Sequence, residues 1–286
     1  MSNKTIFETP DILQAIRWQH KLSDSAKFSL GWKQMDDQVK IIKGQLSIIT
    51  GVPSAGKSNW LDAVMVNLAN LYDWRFIVFS PESQPLSDHV ENLITKKYQM
   101  PLRDGWNNFI PIAEKDHIFA AQWVTKHFNI VNAIGIDRKM DSLFQLFKHI
   151  SSNKIIDAFV LDPWNEIEHE RPAYMSETEY LGVVLGKIKA LALEYNVHIF
   201  VVAHPTKLFN SKKPGEQETA TPTAGPYDIS GSANWYNKAD NIFSVYRDLH
   251  KNDLKTTILV QKVKRARLGK VGAVELEYIP ATASYK

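Results

Sequence analysis

The chain has 286 residues, of which 44% are hydrophobic and 23% charged, a composition typical of a globular protein with one large core. It contains no cysteine, which excludes disulfides and cysteine-ligated zinc sites, and the formal net charge of +3 is too small to indicate a class of partner. No apolar run is long enough to span a membrane or to act as a signal peptide, so we expect a cytoplasmic protein.

The first predicted element is a short amphipathic helix over residues 10–20. One face of this helix carries Ile12, Ile16 and His20. A buried strand over 45–50 then leads into a glycine-rich loop, and helical spacing follows from 57 to 71. The apolar stripe of this second helix consists of Leu61, Val64, Met65, Leu68 and Leu71.

The rest of the chain alternates between strands and helices. Further strands are predicted at 75–80, near 130–131, and at 155–161, 197–203, 241–246, 256–262 and 273–279. Further helices are predicted at 85–99, near 139–150 and at 177–195. Residues 100–128 give no clear prediction, and 205–227 form a long loop rich in proline, glycine, serine and threonine. Apolar strands that alternate with helices predict an α/β fold, with a mostly parallel sheet, helices on both faces and antiparallel strands at the C-terminal edge.

The most specific motif is a P-loop, Gly-x4-Gly-Lys-Ser, placed between a predicted strand and a predicted helix. Its backbone N–H groups and the helix N-terminus suit the phosphates of ATP or another nucleotide. Lys57 should reach the β- and γ-phosphates, and Ser58 should bind Mg²⁺. The predicted nucleotide-binding residues of this segment are Gly51, Pro53, Ser54, Ala55, Gly56, Lys57, Ser58 and Asn59.

Three polar residues follow apolar strands and should lie at the same edge of the sheet as the P-loop. Asp162 ends the run 155–161 and is the predicted second magnesium ligand, while Glu82 is the candidate base that activates water. His204 could hydrogen-bond the γ-phosphate and report its loss to the loop that follows. Each acid could instead be a helix cap or a surface charge, and His204 could be a structural histidine.

Together these motifs resemble the RecA-like helicase domain of superfamily 4, over residues 27–286. The resemblance is to the phage primase-helicases and Twinkle-like helicases, and more distantly to the DnaB-like ones. The residues that carry it are Gly51–Ser58, Glu82, Leu161–Trp164, Ala203–Lys207, Asp228–Ser232 and Asn237–Asp240. It implies a ring, usually a hexamer, that binds ATP between subunits and single-stranded DNA in its channel.

The resemblance also implies roles for individual residues. Glu82 matches the catalytic glutamate, Asp162 the Walker B acid and His204 the phosphate sensor. Between Lys262 and Lys270 the chain carries five basic residues and no acid. This stretch falls where the family places an arginine finger that reaches the neighbouring subunit. The candidate fingers are Arg267, as first choice, and Arg265. Arg247 and Tyr278 match positions that stack on adenine.

We expect DNA contacts from the loop after His204. The candidate residues are Lys207, Asn210, Lys212 and Lys213. Alternatively this loop is a solvated surface loop, and the basic stretch 262–270 faces DNA or solvent.

The domain prediction is a linker-helix region over 1–26 and a RecA-like ATPase domain over 27–286. Relatives with primase activity carry an N-terminal region that is not encoded here. We therefore expect either the helicase domain of a primase-helicase or a stand-alone form, of phage or prophage type, with a primase or polymerase as a further candidate partner. Two alternatives stay open: a recombinase-type DNA-binding ATPase, and a regulatory ATPase or kinase that needs no DNA.

Overall fold

The computed structural model describes residues 6, 8–21, 26–106, 108–206, 221–251 and 254–286. The helices are α1 (Thr9–Lys21), α2 (Lys33–Asp36), α3 (Lys57–Tyr72), α4 (Leu86–Tyr98), α5 (His117–His127), α6 (Met140–Asn153), α7 (Glu177–Glu194) and α8 (Ser232–Lys238). The strands are β1 (Leu46–Thr50), β2 (Phe76–Phe79), β3 (Phe128–Ile130), β4 (Ala158–Leu161), β5 (His198–Val202), β6 (Asn241–Tyr246), β7 (Lys255–Val263), β8 (Gly272–Ile279) and β9 (Ser284–Tyr285).

All nine strands form one sheet in the order β3-β2-β4-β5-β1-β6-β7-β8-β9. The pairs from β3 to β6 are parallel, and those from β6 to β9 are antiparallel. The predicted α/β fold, with its antiparallel C-terminal edge, is therefore confirmed.

Two apolar cores cover the faces of the sheet, because successive side chains of a strand point to opposite sides. Ile49 belongs to the core that contains α3, α4 and α5, whereas its neighbour Ile48 belongs to the core that contains α6, α7 and α8. Helix α7 begins with a capping box, in which the Ser176 hydroxyl accepts from the Glu179 N–H and the Glu179 carboxylate accepts from the Ser176 N–H.

The structure differs from the sequence-based prediction in several elements. The unassigned segment contains α5, and α2, α8 and β9 were not predicted. The strand predicted at 155–161 begins only at Ala158, and Ile155 is 69% exposed. Leu71 is 57% exposed and is not part of a core stripe. Helix α3 is instead buried on nearly every side over its first three turns, because both the sheet and α4 pack against it.

Helix α1 matches the predicted amphipathic helix. The apolar side chains that it exposes are Ile12, Leu13 and Ile16, each about half accessible. The side chain of His20 lies outside the described residues. No helix in the described ranges is long and apolar enough to cross a membrane.

Candidate nucleotide-binding site

The P-loop connects β1 to α3, and two of its glycines are required by geometry. Gly51 has φ 145°, and a Cβ there would lie 2.3 Å from the carbonyl oxygen of Val245. Gly56 has φ 94° and immediately precedes α3. Both values lie in a region that favours glycine, so the motif is explained by the turn itself as well as by phosphate binding.

Lys57 is buried within this loop. Its Nζ donates to the carbonyl oxygens of Gly51 at 2.9 Å and Val52 at 3.1 Å. Burial lowers the pKa of Lys57, whereas the charges of Asp162 and Glu82 oppose that shift. Neutral carbonyls are weaker partners for a buried ammonium than an anion is, so a phosphate at the loop would be the stronger partner.

Asp162 follows β4 and is almost completely buried, at 4% exposure. Its N–H donates to the carbonyl oxygen of Phe79 at 2.9 Å, which fixes it at the sheet edge. The Ser58 hydroxyl hydrogen-bonds its carboxylate, and Oδ1 is buried with no hydrogen-bond partner among the described residues. A hydroxyl beside a carboxylate oxygen in need of a partner fits Mg²⁺, which prefers oxygen ligands.

Burial raises the pKa of Asp162 to about 7, with further contributions from the charges of Asp62 and Glu82. Between the ordinary value of 3.8 and about 7, the folded protein binds more protons at this site than the unfolded chain does. The contribution of Asp162 to stability is therefore full below pH 3.8 and is lost as pH rises towards 7.

We expect Asp162→Asn to stabilise the metal-free protein increasingly as pH rises. The free energy of unfolding of the variant, minus that of the wild type, should rise between pH 4 and 7 by about 1.4 kcal/mol per pH unit at most. Urea unfolding in EDTA measures this difference. Burial lowers the pKa of His198 to about 4, which gives an opposite slope in the wild type. Because His198 is common to both proteins, its effect cancels in the difference. A difference that stays flat over this range would mean that Asp162 is ionised in the folded state with an ordinary pKa.

The structure brings Glu82 and His204 to the same edge. Glu82 lies just beyond β2 and is exposed, and its charge acts on both Lys57 and Asp162. His204 lies just beyond β5 and is half-buried. Burial lowers the pKa of His204, and the charge of Lys57 lowers it further. The adjacent strands β2, β4, β5 and β1 thus each deliver one predicted group to one place.

The two predicted adenine contacts also lie at this edge. Arg247 directly follows β6, and Tyr278 lies near the end of β8. The charge of Arg247 acts on the phenols of Tyr278 and Tyr285, and the rings of these two tyrosines are 5.3 Å apart.

The predicted arginine fingers lie at the opposite edge of the sheet. Arg265 and Arg267 are exposed in the turn between β7 and β8. This turn follows Val263, which pairs with Asn241 at the start of β6, whereas the P-loop lies near the end of β6. The stretch of β7 between these two levels spans about 20 Å. The predicted DNA-binding residues Lys207, Asn210, Lys212 and Lys213 lie outside the described residues.

Sequence reasoning missed a buried polar contact between α3 and α4. The Asp62 carboxylate accepts a hydrogen bond from the His89 ring at 3.2 Å, and Lys96 donates to the Asn59 side-chain oxygen at 2.7 Å. Burial acts to lower the pKa of His89, but the charge of Asp62 outweighs it and raises the pKa. A signal was available: polar residues three apart on one apolar helix, and seven apart on the next, recur on one face of each.

Comparison with known proteins agrees with the site. The sequence profile described as the DnaB-like helicase C terminal domain matches residues 28–286. The Twinkle homolog protein, chloroplastic/mitochondrial, of Arabidopsis thaliana is 32% identical over 271 residues, which are 90% of this chain and 36% of that protein. The chain therefore spans little more than a third of the length of that relative.

Solved structures share the fold at low sequence identity. A helicase-like ATPase domain solved on its own is 16% identical with a TM-score of 0.72, and the match covers 98% of both chains. A DnaB-like replicative helicase, described with its interactions with primase, is 16% identical with a TM-score of 0.71, covering 97% of this chain and 68% of that one. The RadB recombinase is 13% identical with a TM-score of 0.58, covering 90% and 98%.

Proposed function

Since this chain belongs to the family of DnaB-like helicase C-terminal domains, we propose that it is the ATP-hydrolysing motor of a ring-forming replicative DNA helicase. The observation that carries the proposal is the edge at which the P-loop, Glu82, Asp162 and His204 meet. A nucleotide-binding loop needs this set of a phosphate-binding cation, a metal-side carboxylate and a water-activating base for hydrolysis.

Each group has a role that follows from its position. Lys57 holds the β- and γ-phosphates, and Glu82, exposed beside them, accepts the proton of the attacking water. His204 donates to the γ-phosphate and loses that partner on hydrolysis. Ser58 and Asp162 would hold Mg²⁺, which neutralises phosphate charge when bound.

The placement of the arginine turn supports catalysis between subunits. A side chain about 20 Å away along the strand from its own P-loop cannot reach that nucleotide, so Arg267 or Arg265 can only act on a neighbouring copy. Helix α1 exposes Ile12, Leu13 and Ile16, a surface suited to packing on the neighbour. We propose that both contacts belong to a ring, with six subunits as the expected number.

We propose that single-stranded DNA binds to the loop that carries Lys207, Asn210, Lys212 and Lys213. The two ends of this loop are held together, because the N–H and the hydroxyl of Thr206 both donate to the carbonyl oxygen of Asp228 at 2.7 Å. Thr206 lies two residues beyond His204. A change in the hydrogen bonding of His204 therefore has a short covalent path to the DNA-binding loop.

A recombinase-type ATPase is the alternative within the same fold, which RadB shares. One similar helicase structure is described with its interactions with primase, and we propose a primase or polymerase as a partner of this chain as well. Phage or prophage origin is likewise a proposal.

Fork unwinding tests the proposed function. With ATP and Mg²⁺, the wild type should separate a forked duplex and should hydrolyse ATP faster when single-stranded DNA is added, whereas Lys57→Ala should do neither. A recombinase would show stimulation without unwinding, and a DNA-independent regulatory ATPase would show neither stimulation nor unwinding; either result would contradict the proposal.

The DNA-binding loop is tested by replacing Lys207, Lys212 and Lys213 together with alanine. Each lysine that no longer neutralises a phosphate should reduce the slope of log affinity against log salt by about 0.7 for single-stranded DNA. Hydrolysis without DNA should be preserved. An unchanged slope and affinity would shift the DNA-binding role to the basic stretch 262–270.

A further inference from the structure

A row of polar side chains connects α4, α3 and β9 beneath the P-loop. Lys96 is 3% exposed, and its Nζ donates to Asn59 Oδ1 at 2.7 Å. Asn59 Nδ2 in turn donates to the hydroxyl oxygen of Tyr285 at 3.0 Å.

The chemistry of these groups fixes the direction of every bond. A lysine ammonium can only donate, so the amide oxygen of Asn59 must face Lys96, and its NH₂ must face Tyr285. The Tyr285 oxygen therefore accepts, and its own proton has no acceptor among the described residues. Burial raises the pKa of Tyr285, so the hydroxyl stays protonated at physiological pH.

This hydroxyl lies between the two parts of the candidate nucleotide site. A Cβ placed on Gly56 of the P-loop would be 3.2 Å from the Tyr285 oxygen. The Tyr285 ring is 5.3 Å from that of Tyr278, the predicted adenine contact. The nearest part of the P-loop presents backbone N–H groups, which are donors, so the missing acceptor has to come from the ligand.

We propose that the Tyr285 hydroxyl donates a hydrogen bond to the α-phosphate of the bound nucleotide, with Lys96 and Asn59 as positioning residues that aim it. The α-phosphate is the group that joins the base-bearing ribose to the phosphates held by the P-loop. This inference rests on the proposed function, because it needs a nucleotide at that loop.

The burial of Lys96 is consistent with a positioning role. Desolvation opposes the charged form of a buried lysine, and burial lowers the pKa of Lys96 to about 8. An apolar residue would pack between α3 and α4 without that cost. Only a donor at this place, however, can turn the Asn59 amide so that the proton of Tyr285 points away from the protein.

Tyr285→Phe removes the hydroxyl alone and tests the hydrogen bond. Calorimetric titration with Mg²⁺ present should give about tenfold weaker binding of both ATP and ADP, since the variant cannot make this hydrogen bond to a charged group. Binding of pyrophosphate, which has no α-phosphate linked to a ribose, should be unchanged. Ser284→Ala is the matched control, because it removes a neighbouring hydroxyl of β9 that bonds Gln99 instead, and it should bind ATP and ADP as the wild type does.

A double-mutant cycle separates aiming from packing. In Asn59→Asp, the carboxylate can only accept, so it takes the Tyr285 proton away from the ligand. Tyr285→Phe should therefore have no further effect on ADP affinity in the Asn59→Asp background, and the added charge cancels because it is present on both sides of that comparison.

Three results would each overturn the inference: unchanged ADP affinity in Tyr285→Phe, an equal loss in Ser284→Ala, or a tenfold effect that persists in the Asn59→Asp background. If the wild type itself bound no nucleotide, the proposed function would fall together with the inference. If the wild type binds and Tyr285→Phe binds equally well, only the inference falls.

Discussion

Arg267→Ala should abolish nearly all DNA-stimulated ATP hydrolysis while leaving nucleotide binding to the isolated subunit intact. The turn that carries Arg267 lies at the edge of the sheet opposite to the P-loop, so its charge can only stabilise a transition state in a neighbouring subunit. Arginine fingers acting between subunits contribute about 10³-fold or more to turnover. Steady-state hydrolysis and nucleotide titration measure the two parts of this expectation. Lys270→Ala, which removes a charge from the same turn, is the control and should retain turnover.

Mixing Arg267→Ala with Lys57→Ala subunits tests action in trans. Each variant alone should be inactive. In a mixed assembly, an interface between the intact P-loop of the first variant and the intact finger of the second should regain activity. If verified mixed assemblies stay inactive, Arg267 is not the finger, and Arg265 becomes the next residue to test by the same design.

Glu82→Gln should reduce turnover by about 10²-fold or more and leave ATP binding intact. Glutamine keeps the size of the side chain and its hydrogen bonding, but it cannot accept a proton from water. Turnover with saturating ATP, together with the dissociation constant for ATP, distinguishes the loss of a base from a weakening of ATP binding.

Asp88→Asn is the matched control for Glu82, because it removes an equal charge from an exposed position six residues away, at the start of α4. It should retain turnover. If Glu82→Gln lowers turnover by less than threefold, another acid activates the water and Glu82 is a surface residue.

The sequence by itself determined the fold class and the principal groups of the site. The apolar strands that precede Gly51, Glu82, Asp162 and His204 are short and nearly continuous, and such strands form buried parallel sheets. Since parallel strands end at one edge, residues that directly follow them meet there without further information from the chain. Local spacing was therefore enough to predict this part of the site.

Tertiary structure decided what depends on contacts between distant segments. The bonds from Lys96 to Asn59 and from Asn59 to Tyr285 join residues 37 and 226 positions apart, and no local pattern encodes such pairings. The same holds for Leu71, which fits the helical stripe but is exposed because the sheet and α4 cover only the earlier turns of α3. The placement of Arg265 and Arg267 at the far edge required the register of β6 with β7, which sets how far that hairpin extends from the P-loop. Side-chain periodicity predicts which face of an element is buried, but the partner of that face is fixed only when the whole chain packs.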